Sequence, residues 1–445
     1  MQNEFPHHET TRMRLTNVLG RPRELAVCKT LASKAVPVFR REIYIVGLPP
    51  RDLTTQKMIL TQCAACAAPL GLSLGKKCGR CSTRYCGAAC QEQHWKEGGH
   101  DQLCKKIKKA GGAEQYNANK KYAEAVSVAV EKCADDTKGQ TCYICTQALH
   151  WKTKEGLVRM CACRGTAGFA HVSCLAEQAK ILLAEAEENN LDWKVQSLMM
   201  GRWHRCSLCE QEYHGVVRCA LGWACWKTYL GRPERDQVRA TAMIELGNGL
   251  TAAKYHEDAL SVREAELFIS RRLGATESHL LLVQGNLAMT YEKLGRVEEA
   301  LPMRRDVYSG SLKLHGEESE ETLTTANNYA NCLFGLKRFE EAKALYRKIE
   351  PVARRVLGEN NDLTIRMRMV YASALYIDTD ATLDDLREAV TTLEDTARTA
   401  RQVLGGTHPL TTGIDGSLQS ARAALAARDG DDASSVCEAV RKAKV

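Results

Sequence analysis

The sequence predicts a multi-domain protein in which two small metal-stabilised modules precede an all-α repeat array. Three observations carry this. Of the 20 cysteines in 445 residues, seven lie between Cys63 and Cys104 and seven between Cys142 and Cys209. After Cys225 the chain turns Ala-, Leu- and Glu-rich with helical periodicity. Within that region, residues 279–320 align onto 321–362 with a shift of 42 and 11 identities, the mark of a repeat architecture.

Composition sets the frame. A chain with 44% hydrophobic and 26% charged residues is ordinary for a folded protein, which excludes a mostly disordered one. No apolar run approaches the roughly 18 residues that a membrane helix needs. The N-terminus, MQNEFPHHETTRMRLTN, has no apolar core behind its charges, so it does not read as a secretory signal. The expectation is an intracellular protein, cytoplasmic and/or nuclear, with no membrane partner. In a reducing compartment the cysteines are expected as thiolate ligands, not disulfides.

Residues 1–60 form a basic segment in which REIYIV at 41–46 is a candidate strand. Residues 1–110 hold 19 Lys/Arg against 8 Asp/Glu, whereas the remainder hold 43 against 46, so the formal +8 is entirely N-terminal. Such a patch reads first as solubility or general electrostatics, and nucleic acid is not among the expected partners.

The first module, residues 61–106, carries Cys63-x2-Cys66, Cys78-x2-Cys81, Cys86-x3-Cys90 and His100-x3-Cys104. Zinc takes four Cys/His ligands tetrahedrally, so eight make two closed sites. The x3 pairs suit the first turn of a short helix, where i and i+4 share a face. His94 is a competing candidate, but only His100 has an x3 partner. So short a segment cannot bury enough apolar area to fold alone. A structural zinc can supply about 10–16 kcal/mol of apparent folding energy, so the metal acts as the core. Residues 107–138 read as a linker with a helix around Tyr122–Cys133.

The second module, residues 139–212, carries Cys142-x2-Cys145, Cys161-x-Cys163, His171-x2-Cys174 and Cys206-x2-Cys209, again eight ligands. A helical run over Leu175–Glu188 ends at Asn189-Asn190. Together the modules imply about four zinc ions per chain. Fourteen thiolates and four Zn²⁺ sum to −6, which brings the loaded chain nearer +2 than +8.

The array, residues 215–443, reads as four two-helix blocks starting near 237, 279, 321 and 363. The matches include Asn286/Asn328, Arg296/Arg338 and Glu298-Glu299-Ala300/Glu340-Glu341-Ala342. Glycines at 274, 316, 358 and 405 end the second helices. Apolar Val216–Leu230 and a C-terminal helix from about 409 would cap the ends. Cys219 and Cys225 lack Cys or His neighbours at ligand spacing, so they read as core residues.

Three resemblances sharpen this. Tyr85-Cys86, Cys90-Gln91, Trp95 and His100-x3-Cys104 make the first module similar to the MYND zinc finger. That family interleaves its ligands, which implies Cys63, Cys66, Cys86 and Cys90 at one site and Cys78, Cys81, His100 and Cys104 at the other. It also implies short peptide ligands. The order C4HC3 is shared by PHD and RING-CH fingers. Cys161-x-Cys163-Arg164-Gly165-Thr166, His171-x2-Cys174-Leu175 and Cys206-Ser-Leu-Cys209 make the second module resemble the RING-CH type. A cross-brace is then implied, with Cys142, Cys145, His171 and Cys174 at one site and Cys161, Cys163, Cys206 and Cys209 at the other. The array resembles tetratricopeptide repeats in the 42-residue form of kinesin light chains, whose small packing residue would be Ala259, Ala300, Ala342 and Ala389 in turn. The full fold expectation is two zinc-stabilised cross-brace modules followed by an all-α tetratricopeptide-like solenoid.

Function follows from the same resemblances. RING-CH domains recruit a ubiquitin-charged E2 enzyme and hold its thioester for attack by a substrate lysine, which is catalysis by positioning. No residue of this chain is expected to be catalytic. Ile144 and Leu208 are candidate E2 contacts, with ordinary knuckle packing as the competing role for Ile144. Asn286, Asn327 and Asn328 are candidate clamps on a peptide backbone, with bonding to a neighbouring helix as their competing role. The principal reading is a zinc-binding E3 ubiquitin ligase or ligase adaptor whose repeats and MYND-type finger select protein or peptide partners. The alternative is a non-catalytic zinc-dependent scaffold. Gln178 stands where the RING-CH family commonly has Trp, 31 residues separate Cys174 from Cys206, and Glu210 follows the last ligand.

Overall fold

The computed structural model describes residues 63–442 except 67, 69 and 71–74, with side chains up to residue 429. The candidate strand at 41–46 and the basic segment at 1–60 therefore lie outside the described residues. The chain divides into two compact units, Met1–Glu266 and Leu267–Val445.

In the first unit, a two-residue antiparallel ribbon pairs β1 (Lys76–Lys77) with β2 (Arg84–Tyr85). Helices α1 (Ala88–Lys96) and α2 (His100–Lys109) follow. The apolar core here is Leu70, Tyr85, Ile107 and Ala113 packed among the ligand cysteines, as expected where metal replaces bulk. Next come α3 (Ala113–Cys133), α4 (Val172–Glu188), α5 (Trp193–Met200), α6 (Gly215–Tyr229) and α7 (Gln237–Ala252). The C-terminus of α4 falls at Asn189, and Asn190 takes φ +51° to turn the chain.

The segment expected as a linker is a 21-residue helix, α3, built into the second module. Val126, Ala129 and Cys133 of α3, Val217, Ala220 and Leu221 of α6, and Leu157, Val158, Phe169, Val172 and Leu175 of the module share one core. The Tyr122 hydroxyl stands 3.1 Å from Ser173 Oγ, and Ser173 donates from Oγ and N to Glu155. Lys227 Nζ lies 3.5 Å over the Tyr122 ring, a cation–π contact that ties in α6. The RING-like segment and these two helices are thus one folding unit. The lysines on the exposed face of α3 lower its mean hydropathy and hide its buried Ala/Val stripe.

Helices α6 and α7 approach at backbone distance. A Cβ on Gly222 would stand 2.9 Å from the Glu245 carbonyl oxygen, and one on Gly249 would stand 2.7 Å from that of Arg218. The next helix, α8 (His256–Arg272), places Asp258 beside Cys219 and Lys121. Burial raises the Asp258 carboxyl to about 6. The folded state therefore binds this proton more tightly than the unfolded chain, so the parent loses stability as pH rises through about 4 to 6. Asp258→Asn is expected to melt above the parent at pH 7.5, with the advantage reduced to about half at pH 5. Calorimetry at the two pH values checks it, and an advantage independent of pH would refute it.

In the second unit, α9 (Glu277–Lys293) pairs with α10 (Val297–His315), α11 (Glu320–Gly335) with α12 (Phe339–Leu357), and α13 (Asp362–Ile377) with α14 (Leu383–Leu404), before α15 (Pro409–Lys442). Thr276, Ser319, Asn361 and Thr382 cap helix N-termini with side-chain acceptors. Gly316, Gly358 and Gly405 end second helices at φ +78° to +88°, a conformation that favours glycine. The repeat identities now have causes. Ala300, Ala342 and Ala389 are fully buried where paired helices meet. Arg296 with Glu299, and Arg338 with Glu341, form the same forked ion pair across the start of the second helix. Among the described residues, no helix is long and apolar enough to cross a membrane.

Candidate metal centres

Four knuckles, each a Cys-x2-Cys turn, share one backbone pattern. The amide of the first cysteine donates to the carbonyl five residues on: Cys63 to Ala68, Cys78 to Thr83, Cys142 to Gln147 and Cys206 to Gln211, at 2.8–3.0 Å. In three of them the residue after the second cysteine, Ser82, Thr146 or Glu210, bonds back to the first cysteine's carbonyl and takes φ +56° to +62°. This turn points both sulfurs the same way.

The other half of each site comes largely from helix starts. Cys86 precedes α1 and Cys90 lies in its first turn; His100 opens α2 with Cys104 one turn on; His171 is the N-cap of α4 with Cys174 in its first turn. The exception is the Cys161-x-Cys163 pair, which lies in a loop and is closed by the fourth knuckle. All sixteen predicted ligands gather in four groups: Cys63, Cys66, Cys86, Cys90; Cys78, Cys81, His100, Cys104; Cys142, Cys145, His171, Cys174; and Cys161, Cys163, Cys206, Cys209. In every group the ligand atoms lie within 4.8 Å of one another. Each module interleaves its pairs, first with third and second with fourth, as a cross-brace requires.

Most of the separations fit zinc, with Cys86–Cys90 closer at 3.1 Å. Sulfurs set tetrahedrally at about 2.3 Å from one ion stand about 3.8 Å apart. Cys66–Cys86, Cys78–Cys104 and Cys163–Cys206 are 3.6, 3.9 and 3.7 Å apart. His100 Nε2 is 3.4 Å from the Cys81 sulfur, while His171 uses Nδ1, 3.4 and 3.6 Å from Cys145 and Cys174. His171 Nε2 is 3.3 Å from the Ala148 carbonyl oxygen, the outer hydrogen bond that orients a metal-bound imidazole.

The electrostatics also call for a cation. Cys142 and Cys206 are held down at about 4, first because Cys174 and Cys161 donate to them, and those two donors are pushed far up in turn. Sulfurs this close cannot all ionise beside one another, and a divalent ion supplies the missing positive charge. The core cysteines differ: burial first, and then nearby carboxylates, push Cys133, Cys219, Cys225 and Cys332 upward. His94 is not a ligand. Its Nδ1 sits 3.0 Å from the Tyr85 hydroxyl, and its ring packs 5.1 Å from that of His100.

Ile144 is half-buried against the shared core, whereas Leu208 is 51% exposed. Sequence reasoning missed what links their knuckles. The Tyr143 hydroxyl lies 2.9 Å from Ser207 Oγ, which donates at 3.5 Å to Gln178 Oε1 on α4. Tyr143 and Ser207 occupy the same place in their knuckles, directly after the first cysteine, and that parallel was visible in the sequence.

Of the three asparagines, Asn286 and Asn328 are half-buried. Asn327 takes its competing role, a bond to a neighbouring helix, and not that of a peptide clamp: it is 1% exposed and, with Asn331, accepts the Tyr346 hydroxyl from α12. It falls on the buried stripe Leu323, Ala326, Ala330, one step round the helix from Asn328.

Comparison with known proteins agrees with this division. Residues 63–104 match the MYND finger, residues 142–191 the RING-variant domain and residues 279–355 the tetratricopeptide repeat. The RING-variant match ends before Cys206 and Cys209, which the structure brings to Cys161 and Cys163 across α4 and α5. No curated protein matches the chain. Among solved structures, a Podosopora anserina putative kinesin light chain with nearly identical TPR-like repeats is 21% identical over 46% of this chain and 94% of its own, with a TM-score of 0.38. BtubC (BKLC) from P. vanneervenii is 16% identical over 61% and 91%, with a TM-score of 0.35. The chain thus contains a MYND-type finger, a RING-variant module and tetratricopeptide repeats, and it is a zinc-binding protein-interaction protein.

Proposed function

We propose that the second module recruits a ubiquitin-charged E2 enzyme, making the protein an intracellular E3 ubiquitin ligase or ligase adaptor whose repeats and MYND-type finger select the substrate. The observation that supports this most is the Tyr143–Ser207–Gln178 chain, which couples the knuckle bearing Ile144 to the knuckle bearing exposed Leu208 and anchors both on α4. Every module cysteine belongs to one of the four ligand groups, so the modules supply no nucleophile. It presents a rigid surface, and the E2 thioester is attacked by the substrate lysine held beside it.

A second reading, a scaffold that binds without promoting transfer, is favoured by Glu210. Its carboxylate is engaged 2.9 Å from Arg202 at the edge of the last knuckle, where a ligase would benefit from a cation to brace ubiquitin. One experiment separates them. Zinc-loaded protein is mixed with a panel of ubiquitin-charged E2 enzymes and discharge onto lysine is followed. The ligase reading expects acceleration with at least one E2, reduced about tenfold or more by Leu208→Ala with zinc content unchanged. No acceleration with any E2 leaves the scaffold.

A further inference from the structure

The loop that follows the Cys142–Cys145 knuckle folds as a knuckle again, without the cysteines. His150 N donates to the Glu155 carbonyl at 3.0 Å, five residues on, and Lys154 N donates back to the His150 carbonyl at 2.9 Å. Lys154 takes φ +60°, the conformation that Ser82, Thr146 and Glu210 take in the metal knuckles. His150 stands where the first cysteine stands in those turns, and Thr153 where the second does. The contact that closes this turn is a hydrogen bond: His150 Nδ1 accepts from the Thr153 amide at 3.1 Å and lies 2.8 Å from the Thr153 hydroxyl.

What this turn holds is the outer shell of a zinc ligand. His150 is buried, and its ring meets that of His171 edge-on, 5.3 Å between centroids at 66°. Ala148, whose carbonyl takes the His171 Nε2 contact, sits between Gln147, which closes the metal knuckle, and His150, which opens the metal-free one. Its carbonyl is thus fixed from both sides. An outer partner of this kind sets the tautomer and ring plane of a ligating histidine.

We propose that His150–Lys154 is a metal-free knuckle, closed by the His150–Thr153 hydrogen bond in place of an ion, and that it positions His171 for zinc at the Cys142, Cys145, Cys174 site. His150 and Thr153 are positioning residues and bind no metal. The exposed Trp151, at 68%, is then the tip of a braced turn and not of a loose loop.

The test is zinc release from the full chain to a chromogenic chelator. Thr153→Val keeps the side chain's shape and removes the hydroxyl. Expected is faster release of one zinc ion, by up to about tenfold, with the other three unchanged; that factor is the low end of the loss when the group bonded directly to a ligand is removed, and Thr153 acts one step further out. Thr153→Ser restores the parent rate, and Lys154→Gly, which suits the positive φ, releases no faster than the parent. Release of all four ions at the parent rate in Thr153→Val, or an acceleration shared by all four, would overturn the proposal.

Discussion

Cys206→Ser is expected to bind three zinc ions where the parent binds four, and to lose the cooperative melt of the second module. Cys206 is fully buried at the head of the last knuckle, and its sulfur closes the Cys161, Cys163, Cys209 group. A structural zinc contributes about 10–16 kcal/mol of apparent folding energy, as much as the whole net stability of about 5–15 kcal/mol of a typical domain. No repacking of nearby side chains offsets that. The loss reaches past the module, because α3 and α6 share its core. Helical signal from α11 to α15 should survive, since these helices pack on their own Leu, Ala and Tyr core. Cys225→Ser is the control. Cys225 is as buried as Cys206, but it belongs to none of the four groups. It should cost about 1–3 kcal/mol for burying a hydroxyl and leave the zinc count at four. Metal content and near-ultraviolet circular dichroism distinguish the two variants.

Gly249→Ala is expected to destabilise the first unit by up to about 2 kcal/mol, although by helix propensity alone it should help. Alanine is favoured over glycine inside a helix by about 1 kcal/mol. The new methyl, however, would sit 2.7 Å from the Arg218 carbonyl oxygen, and a backbone atom cannot swing aside as a side-chain end can. Helix α6 must back away from α7, which costs about 1–3 kcal/mol through overpacking and thins contacts in the zinc module's shared core. The clash outweighs the propensity. Gly413→Ala on α15, where nothing stands within 4 Å of the added carbon, should stabilise slightly. Thermal melts of the two variants check the pair of signs.

The metal sites were legible because ligand chemistry is written in spacing: four pairs per module, with Cys86-x3-Cys90 and His100-x3-Cys104 matching one helical turn. The four-block array was legible through its period. Three features were not. The sequence places a helix only around Tyr122–Cys133; the earlier start of α3 at Ala113 and its packing rest on small residues such as Ala118, Val126 and Ala129, with Lys120, Lys121 and Lys132 interspersed among them. The metal-free knuckle has no cysteine to announce it, and only the backbone turn reveals that His150 and Thr153 occupy ligand places. Which of its two expected roles Asn327 takes was not legible beside Asn328; it bonds the neighbouring helix. Its spacing from Leu323 and Ala330 placed it on the buried stripe, and the partner that waits there, Tyr346, is 19 residues away.

The central claim is that metal is the core of two interleaved modules. Mass spectrometry of the intact chain under native conditions tests it most directly. Four zinc ions per chain are expected, all retained at neutral pH and lost on acidification as protons compete for the thiolates. Two or fewer ions on a chain that still melts cooperatively would contradict it.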